Sequence, residues 1–191
     1  ASALALLHYE KAILQKPNFA RALNNFALLQ LHLRNFEEAR ASLDKAHNIV
    51  PKNSEVLNNL GLVYLEMEEP ATAREYFDKA VVIKPNYLQA INNLGLSHQA
   101  LGEVDAALDM FDRALAIKSD FPEALNNKAN SLLEVGRLDA SIQTIEQLLK
   151  KTSDKSISIP LPFDLELPPI FKYFPFIAIE GNIGAGTTTL A

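Results

Sequence analysis

An all-α array of stacked helix pairs is the fold class that this sequence predicts, and three observations predict it. The phrase LNNFALL at 23–29 returns as LNNLGLV at 57–63, INNLGLS at 91–97 and LNNKANS at 125–131, each step being 34 residues. A fixed period of that size marks a stacked repeat array. Within each copy apolar residues recur at helical spacing, as in Leu57, Leu60, Val63 and Tyr64, then Ala73, Phe77 and Ala80. Small residues also return at matched positions, where two helices joined by a short turn must approach closely.

Residues 1–19 fit the back half of a repeat, with Ala5, Tyr9, Ala12 and Pro17 in register. Four full windows follow at 20–53, 54–87, 88–121 and 122–155, each read as two helices. The eighth position of the windows holds Ala27, Gly61, Gly95 and Ala129, and the twenty-fourth holds Leu43, Phe77, Phe111 and Ile145. A small residue at the eighth lets the large one at the twenty-fourth fit against it. The twentieth holds Ala39, Ala73, Ala107 and Ser141, and the twenty-seventh Ala46, Ala80, Ala114 and Leu148. Gly102 and Gly136 sit where the intra-repeat turn calls for positive φ. Pro70 and Pro122 fall at helix starts, which tolerate a missing N–H. Pro17, Pro51 and Pro85 follow second helices and stop them. Departures gather in the last window, at Lys128, Ser141, Leu148 and Ser153, as terminal repeats allow because one face lacks a neighbour.

This pattern resembles the tetratricopeptide repeat over residues 1–155. The resemblance implies a right-handed superhelical solenoid whose concave groove is lined by first helices. The recurrent feature of those helices is a pair of asparagines: Asn24 and Asn25, Asn58 and Asn59, Asn92 and Asn93, Asn126 and Asn127. The second of each pair lies opposite the small packing residue, so Asn25, Asn59, Asn93 and Asn127 are candidate peptide contacts. An amide both donates and accepts, and so pairs with peptide backbone without reading its sequence. The arrangement is similar to the asparagine ladder of O-GlcNAc transferases. It also overlaps the carboxylate clamp of chaperone-binding repeat proteins, which needs basic residues at the second position. That position holds Arg21, Glu55, Gln89 and Glu123, and only Arg21 fits. The first members of the pairs are read as solvated or structural. Leu28, Leu62 and Leu96 either add an apolar stripe to the groove or pack helix against helix. The asparagines could also be residues shared by copying, with no ligand involved.

Composition bounds the chemistry. The chain has 191 residues, 48% hydrophobic and 21% charged, with a net charge of −5 and no cysteine. Disulfides, thiolate metal sites, iron–sulfur clusters and cysteine nucleophiles are therefore excluded. No Lys or Arg block suggests nucleic acid, and no apolar run is long enough for a membrane span. His8, His32, His47 and His98 show neither metal spacing nor a paired base. No cofactor and no catalysis are expected of the repeat array.

The composition changes near residues 152–156. Residues 1–155 carry 17 Lys/Arg and 20 Asp/Glu, whereas 156–191 carry one Lys and three acids but five of the ten prolines. Residues 156–175 read as a non-helical, Pro-rich apolar linker, suited to cover the apolar face of the last helix (Leu138, Ile142, Ile145 and Leu149) or to belong to another domain. Residues 176–191 read as a short strand followed by GNIGAGTT. That stretch resembles the start of deoxynucleoside kinases. The resemblance implies a phosphate cradle from Gly181, Gly184 and Gly186, with Thr188 at the Mg²⁺ hydroxyl position. Thr187 stands where the loop lysine belongs, so the cation that meets the β/γ-phosphates is missing. The chain opens inside a repeat and closes inside an element, so any leader would lie upstream, and a larger parent enzyme or a join of two genes are both open.

The function expected from all this is non-catalytic: a protein-interaction scaffold holding an extended peptide. Its partners are proteins or peptides, with self-association through the apolar ends or tail as a further option, and neither nucleic acid nor membrane. The alternative is a fragment of a repeat-fused deoxynucleoside kinase, inactive as it stands. The sequence names no compartment, and the cytoplasm is only the default.

Overall fold

Helices of 13 or 14 residues are marginal alone in water, so this chain must stabilise its helices by stacking them. The computed structural model describes residues 2–16 and 18–152. Among them nine helices follow in order: α1 (Ser2–Gln15), α2 (Ala20–His32), α3 (Phe36–Ile49), α4 (Ser54–Glu66), α5 (Pro70–Ile83), α6 (Leu88–Ala100), α7 (Val104–Ile117), α8 (Pro122–Glu134) and α9 (Leu138–Thr152). The described residues contain no strand. Pro70 and Pro122 open α5 and α8, where a missing N–H costs nothing. Asn53 caps α4 by accepting from the N–H groups of Glu55 and Val56 at 2.9 and 3.1 Å. Second helices end alike: the N–H of Val50, Lys84 and Lys118 bonds the carbonyl of Ala46, Ala80 and Ala114. Pro51 then follows Val50 and Pro85 follows Lys84, while Pro17 lies outside the described residues.

The intra-repeat turn needs one left-handed residue. Gly102 and Gly136 supply it at φ 75° and 73°, and Arg34 and Glu68 occupy the equivalent positions at 62° and 61°. A side chain there costs about 1–2 kcal/mol, partly offset because glycine loses more entropy on folding, about 0.5–1 kcal/mol. Glu68→Gly is therefore expected to stabilise the array by about 0.5–1 kcal/mol. A urea midpoint that did not rise would refute this reading of the turn.

Packing inside each repeat matches volume to volume. A Cβ added at Gly61 would lie 2.5 Å from Phe77 Cε1, and one at Gly95 would lie 2.5 Å from Phe111 Cε1. Phe77 and Phe111 are both fully buried. Where the small position carries a methyl group, at Ala27 and Ala129, its partner is the smaller Leu43 or Ile145. Between repeats the core runs on, and two clusters among the described residues show how. One joins Leu23, Leu43, Val56 and Leu60, and the other joins Leu57, Phe77, Ile91, Leu94 and Phe121. Tyr64 and Tyr76 pack against both and stack on each other, with centroids 5.3 Å apart and planes 7° from parallel.

Each helix from α1 to α7 contacts the next. First helices also meet first helices, at α2–α4, α4–α6 and α6–α8, whereas among the described residues α3–α5 and α5–α7 make no such contact. The stack is therefore tighter on the side of the first helices. Those helices form the inner wall of a superhelical solenoid, and the second helices form its outside.

The fourth repeat keeps the architecture with polar substitutions. Ser141 is fully buried, and its hydroxyl donates to the Ala129 carbonyl at 2.9 Å, so the small position tolerates it. Lys128 forms an ion pair with Asp112 on α7 instead of filling an apolar site. Leu138 and Ile142 on α9 are exposed. The linker expected to cover them lies outside the described residues.

Candidate functional site

The asparagine pairs turn toward each other across repeats. Asn59 Nδ2 donates to Asn24 Oδ1 at 2.8 Å, Asn93 to Asn58 at 3.0 Å, and Asn127 to Asn92 at 3.0 Å, each across 35 residues. The separation is one period plus one, so the second asparagine of each pair reaches the first asparagine of the pair before it. Asn58 Nδ2 also donates to Asn59 Oδ1 at 3.2 Å, and Asn24 Nδ2 lies 3.5 Å from Glu55 Oε1. Asn24, Asn58, Asn59 and Asn92 are only 4–5% exposed. A buried amide left unpaired costs about 1–3 kcal/mol, and a single amide-to-carbonyl bond at each joint between first helices offsets that penalty. The ladder thus ties α2, α4, α6 and α8 together along the inner wall.

The candidate contact residues differ in what remains to them. Asn59 is buried with its carbonyl and its amide nitrogen both engaged. Asn93 and Asn127 are half-buried, and each spends a donor on the ladder. Their Oδ1 atoms accept nothing among the described residues. Asn25 is half-buried with no side-chain bond among the described residues. Arg21 is exposed, Leu62 and Leu96 are half-buried, and Leu28 is 36% exposed. On α4 the residues Glu55, Asn59, Leu62 and Glu66 share one face, being three or four apart. The same register places Arg21, Asn25, Leu28 and His32 on α2, and Gln89, Asn93, Leu96 and Ala100 on α6. The repeat spacing located these residues, but pairing between copies depends on how adjacent helices are offset.

Two further electrostatic features lie near this wall. Tyr87, at the start of α6, has its hydroxyl pKa raised by burial and then by the Glu55 carboxylate. His98 corrects the expectation of a histidine without a paired base: its Nδ1 lies 2.6 Å from Glu103 Oε2. Arg74 NH1 donates to both Glu103 oxygens at 3.1 Å. The hydrogen bond from His98, followed by Arg74, holds the Glu103 carboxyl below the ordinary carboxylate range. Glu103 lies just past the Gly102 turn, which folds it back onto α6, so helical spacing within one element could not bring the two together. Between α7 and α9 a cleft of about 370 Å³ is lined by Asp105, Asp112, Lys128 and Arg137. Four of its charges close on each other as Lys128–Asp112 and Arg137–Asp105 pairs, and Asp109 also lines it.

Among the described residues no group of three or more His, Asp or Glu side chains is placed to hold a metal ion, and no helix is long and apolar enough to cross a membrane. Gly181, Gly184, Gly186 and Thr188 lie outside the described residues.

A family model described as Tetratricopeptide repeat matches residues 18–86 and again 54–120, and a second model of that description matches 98–157. The chain belongs to the tetratricopeptide repeat family. Solved structures agree on the fold. TTC0263, a thermophilic TPR protein from Thermus thermophilus, is 23% identical with a TM-score of 0.73, over 81% of this chain and 85% of that one. YrrB, a TPR protein with an unusual peptide-binding site, is 21% identical with a TM-score of 0.64, over 81% of this chain and 80% of that one. The first TPR of Spaghetti (RPAP3), bound to the HSP90 peptide SRMEEVD, is 21% identical with a TM-score of 0.58, over 61% of this chain and 92% of that one. No curated protein matches the chain.

Proposed function

We propose that this tetratricopeptide repeat chain is a non-catalytic interaction scaffold that holds an extended peptide against its inner wall. The observation that carries the reading is the ladder's incomplete use of its amides. Asn93 and Asn127 spend one donor each and keep Oδ1 for a peptide N–H, and Asn25 keeps its whole amide. Asn59, bonded at both its carbonyl and its amide nitrogen, fixes the wall between them. Leu62 and Leu96 offer apolar contact one turn further along, and Arg21 offers a single cation at the N-terminal end. YrrB and the first TPR of Spaghetti support peptide binding as a use of this fold.

The test separates contact from scaffold. Asn25→Ala removes no ladder bond, so it is expected to weaken peptide affinity by about three- to tenfold, the value of one neutral hydrogen bond. The thermal midpoint should stay within about a degree of the parent. Calorimetric titration with a panel of extended peptides reads the first, and a melting curve reads the second. Unchanged affinity would remove Asn25 from the site. Unchanged affinity in Asn93→Ala and Asn127→Ala as well would overturn the asparagine-lined groove.

A further inference from the structure

We propose that the occupant of the inner wall is a basic segment of a partner protein, with aliphatic side chains between its lysines or arginines. This rests on the groove reading above and adds the chemistry of its ligand. The apolar part of the wall is the row Leu28, Leu62 and Leu96, one residue from each of three successive first helices. Leu28 is 36% exposed, and Leu62 and Leu96 are half-buried. On the same face, one turn to either side of this row and of the asparagines, stand the exposed residues Arg21, Glu55, Gln89 and Glu123, and His32, Glu66, Ala100 and Glu134. That is four carboxylates against one guanidinium.

Those carboxylates are not neutralised from within. Glu55 faces the amide of Asn24 and Glu134 that of Gln99 at 3.1 Å, both neutral donors. No cation meets Glu55, Glu66, Glu123 or Glu134 among the described residues. Among the described residues the ion pairs lie elsewhere, at Glu37–Arg40, Glu103 with Arg74 and His98, Asp105–Arg137 and Asp112–Lys128. A concave wall of one sign concentrates its field and attracts a ligand of the other. An acidic peptide, a nucleic acid or an anionic membrane would be repelled by the same field.

The spacing is specific as well. Glu55 and Glu66 lie on α4, and Glu123 and Glu134 on α8, two repeats along. Successive first helices in contact stand about 8–10 Å apart, so the two acidic stations are separated by about 20 Å. An extended chain covers that in about six residues. The segment that fits therefore places basic residues about six apart, with aliphatic side chains between them on Leu62 and Leu96.

Fluorescence anisotropy on the full chain tests this with three synthetic peptides. They share one leucine spacing and differ only in carrying Lys, Gln or Glu at the stations. The Lys peptide is expected to bind about tenfold tighter than the Gln peptide at low salt, with the Glu peptide weakest, and the difference should shrink as salt rises. Glu66→Gln combined with Glu123→Gln, at exposed residues, takes one carboxylate from each station and should cut that difference to about threefold. Leu62→Gln should weaken the Lys and Gln peptides alike. Equal affinity for the three peptides would overturn the charge inference and leave the groove reading standing. Binding indifferent to Leu62→Gln would place the peptide elsewhere and overturn it too. No binding of any of the three would bring down both readings.

Discussion

Asn58→Ala is expected to destabilise the array by about 2–4 kcal/mol, more than any surface asparagine should. Asn58 accepts from Asn93 Nδ2 at 3.0 Å and donates to Asn59 Oδ1 at 3.2 Å, so its removal strands two polar atoms. Asn59 is 4% exposed, so a carbonyl that loses its partner there is left largely buried. Each stranded group costs about 1–3 kcal/mol, somewhat less for the half-buried Asn93, which water can reach. Asn126 is the internal control. It holds the same position in the fourth repeat, is half-buried, and makes no ladder bond among the described residues. Asn126→Ala should cost about 0.5 kcal/mol or less. In a solenoid each repeat is stabilised only by its neighbours, so the loss at Asn58 should fall on the joint between α4 and α6. Urea unfolding gives the two magnitudes, and amide hydrogen exchange gives the location. Equal losses at Asn58 and Asn126 would show that the ladder does not hold the repeats together.

Gly61→Ala should cost about 1–3 kcal/mol, and Phe77→Leu in the same chain should recover much of it. The added methyl would stand 2.5 Å from the Phe77 ring, which is itself fully buried and cannot swing into solvent. Overpacking of that kind forces the ring off its rotamer or parts the two helices. The first repeat already contains the alternative solution, Ala27 against Leu43. The double variant installs that pair in the second repeat. Phe77→Leu alone should also destabilise, because it opens a cavity beside Gly61. A double-mutant cycle should therefore give a favourable coupling of about 1–2 kcal/mol between residues in direct contact. Simple additivity of the two single losses would contradict the paired-volume account.

Much of the fold was legible in the 34-residue repetition. Helix starts at Pro70 and Pro122, left-handed turns at Gly102 and Gly136, and the fit of Phe77 and Phe111 over Gly61 and Gly95 follow from residues a short way apart in sequence. These are local constraints, and local constraints are written in the order of residues. At Arg34 and Glu68 only the register with Gly102 and Gly136 points to a left-handed backbone, because nothing in the chemistry of arginine or glutamate announces one. The pairing of His98 with Glu103 was also hidden, since it needs the turn between them to be folded.

The candidate site divides in the same way. The sequence by itself determined that an asparagine pair returns at matched positions on all four first helices α2, α4, α6 and α8, a leucine on three of them and a carboxylate pair on α4 and α8, because repetition and helical periodicity are both properties of the chain. The tertiary structure alone decided that asparagines bond at a separation of 35 rather than 34 residues. That one-residue offset is set by how one first helix slides and rotates against the next, a quantity that depends on all the packed volumes at the joint. It fixes which amides are consumed in holding repeats together and which atoms keep hydrogen-bonding capacity to spare.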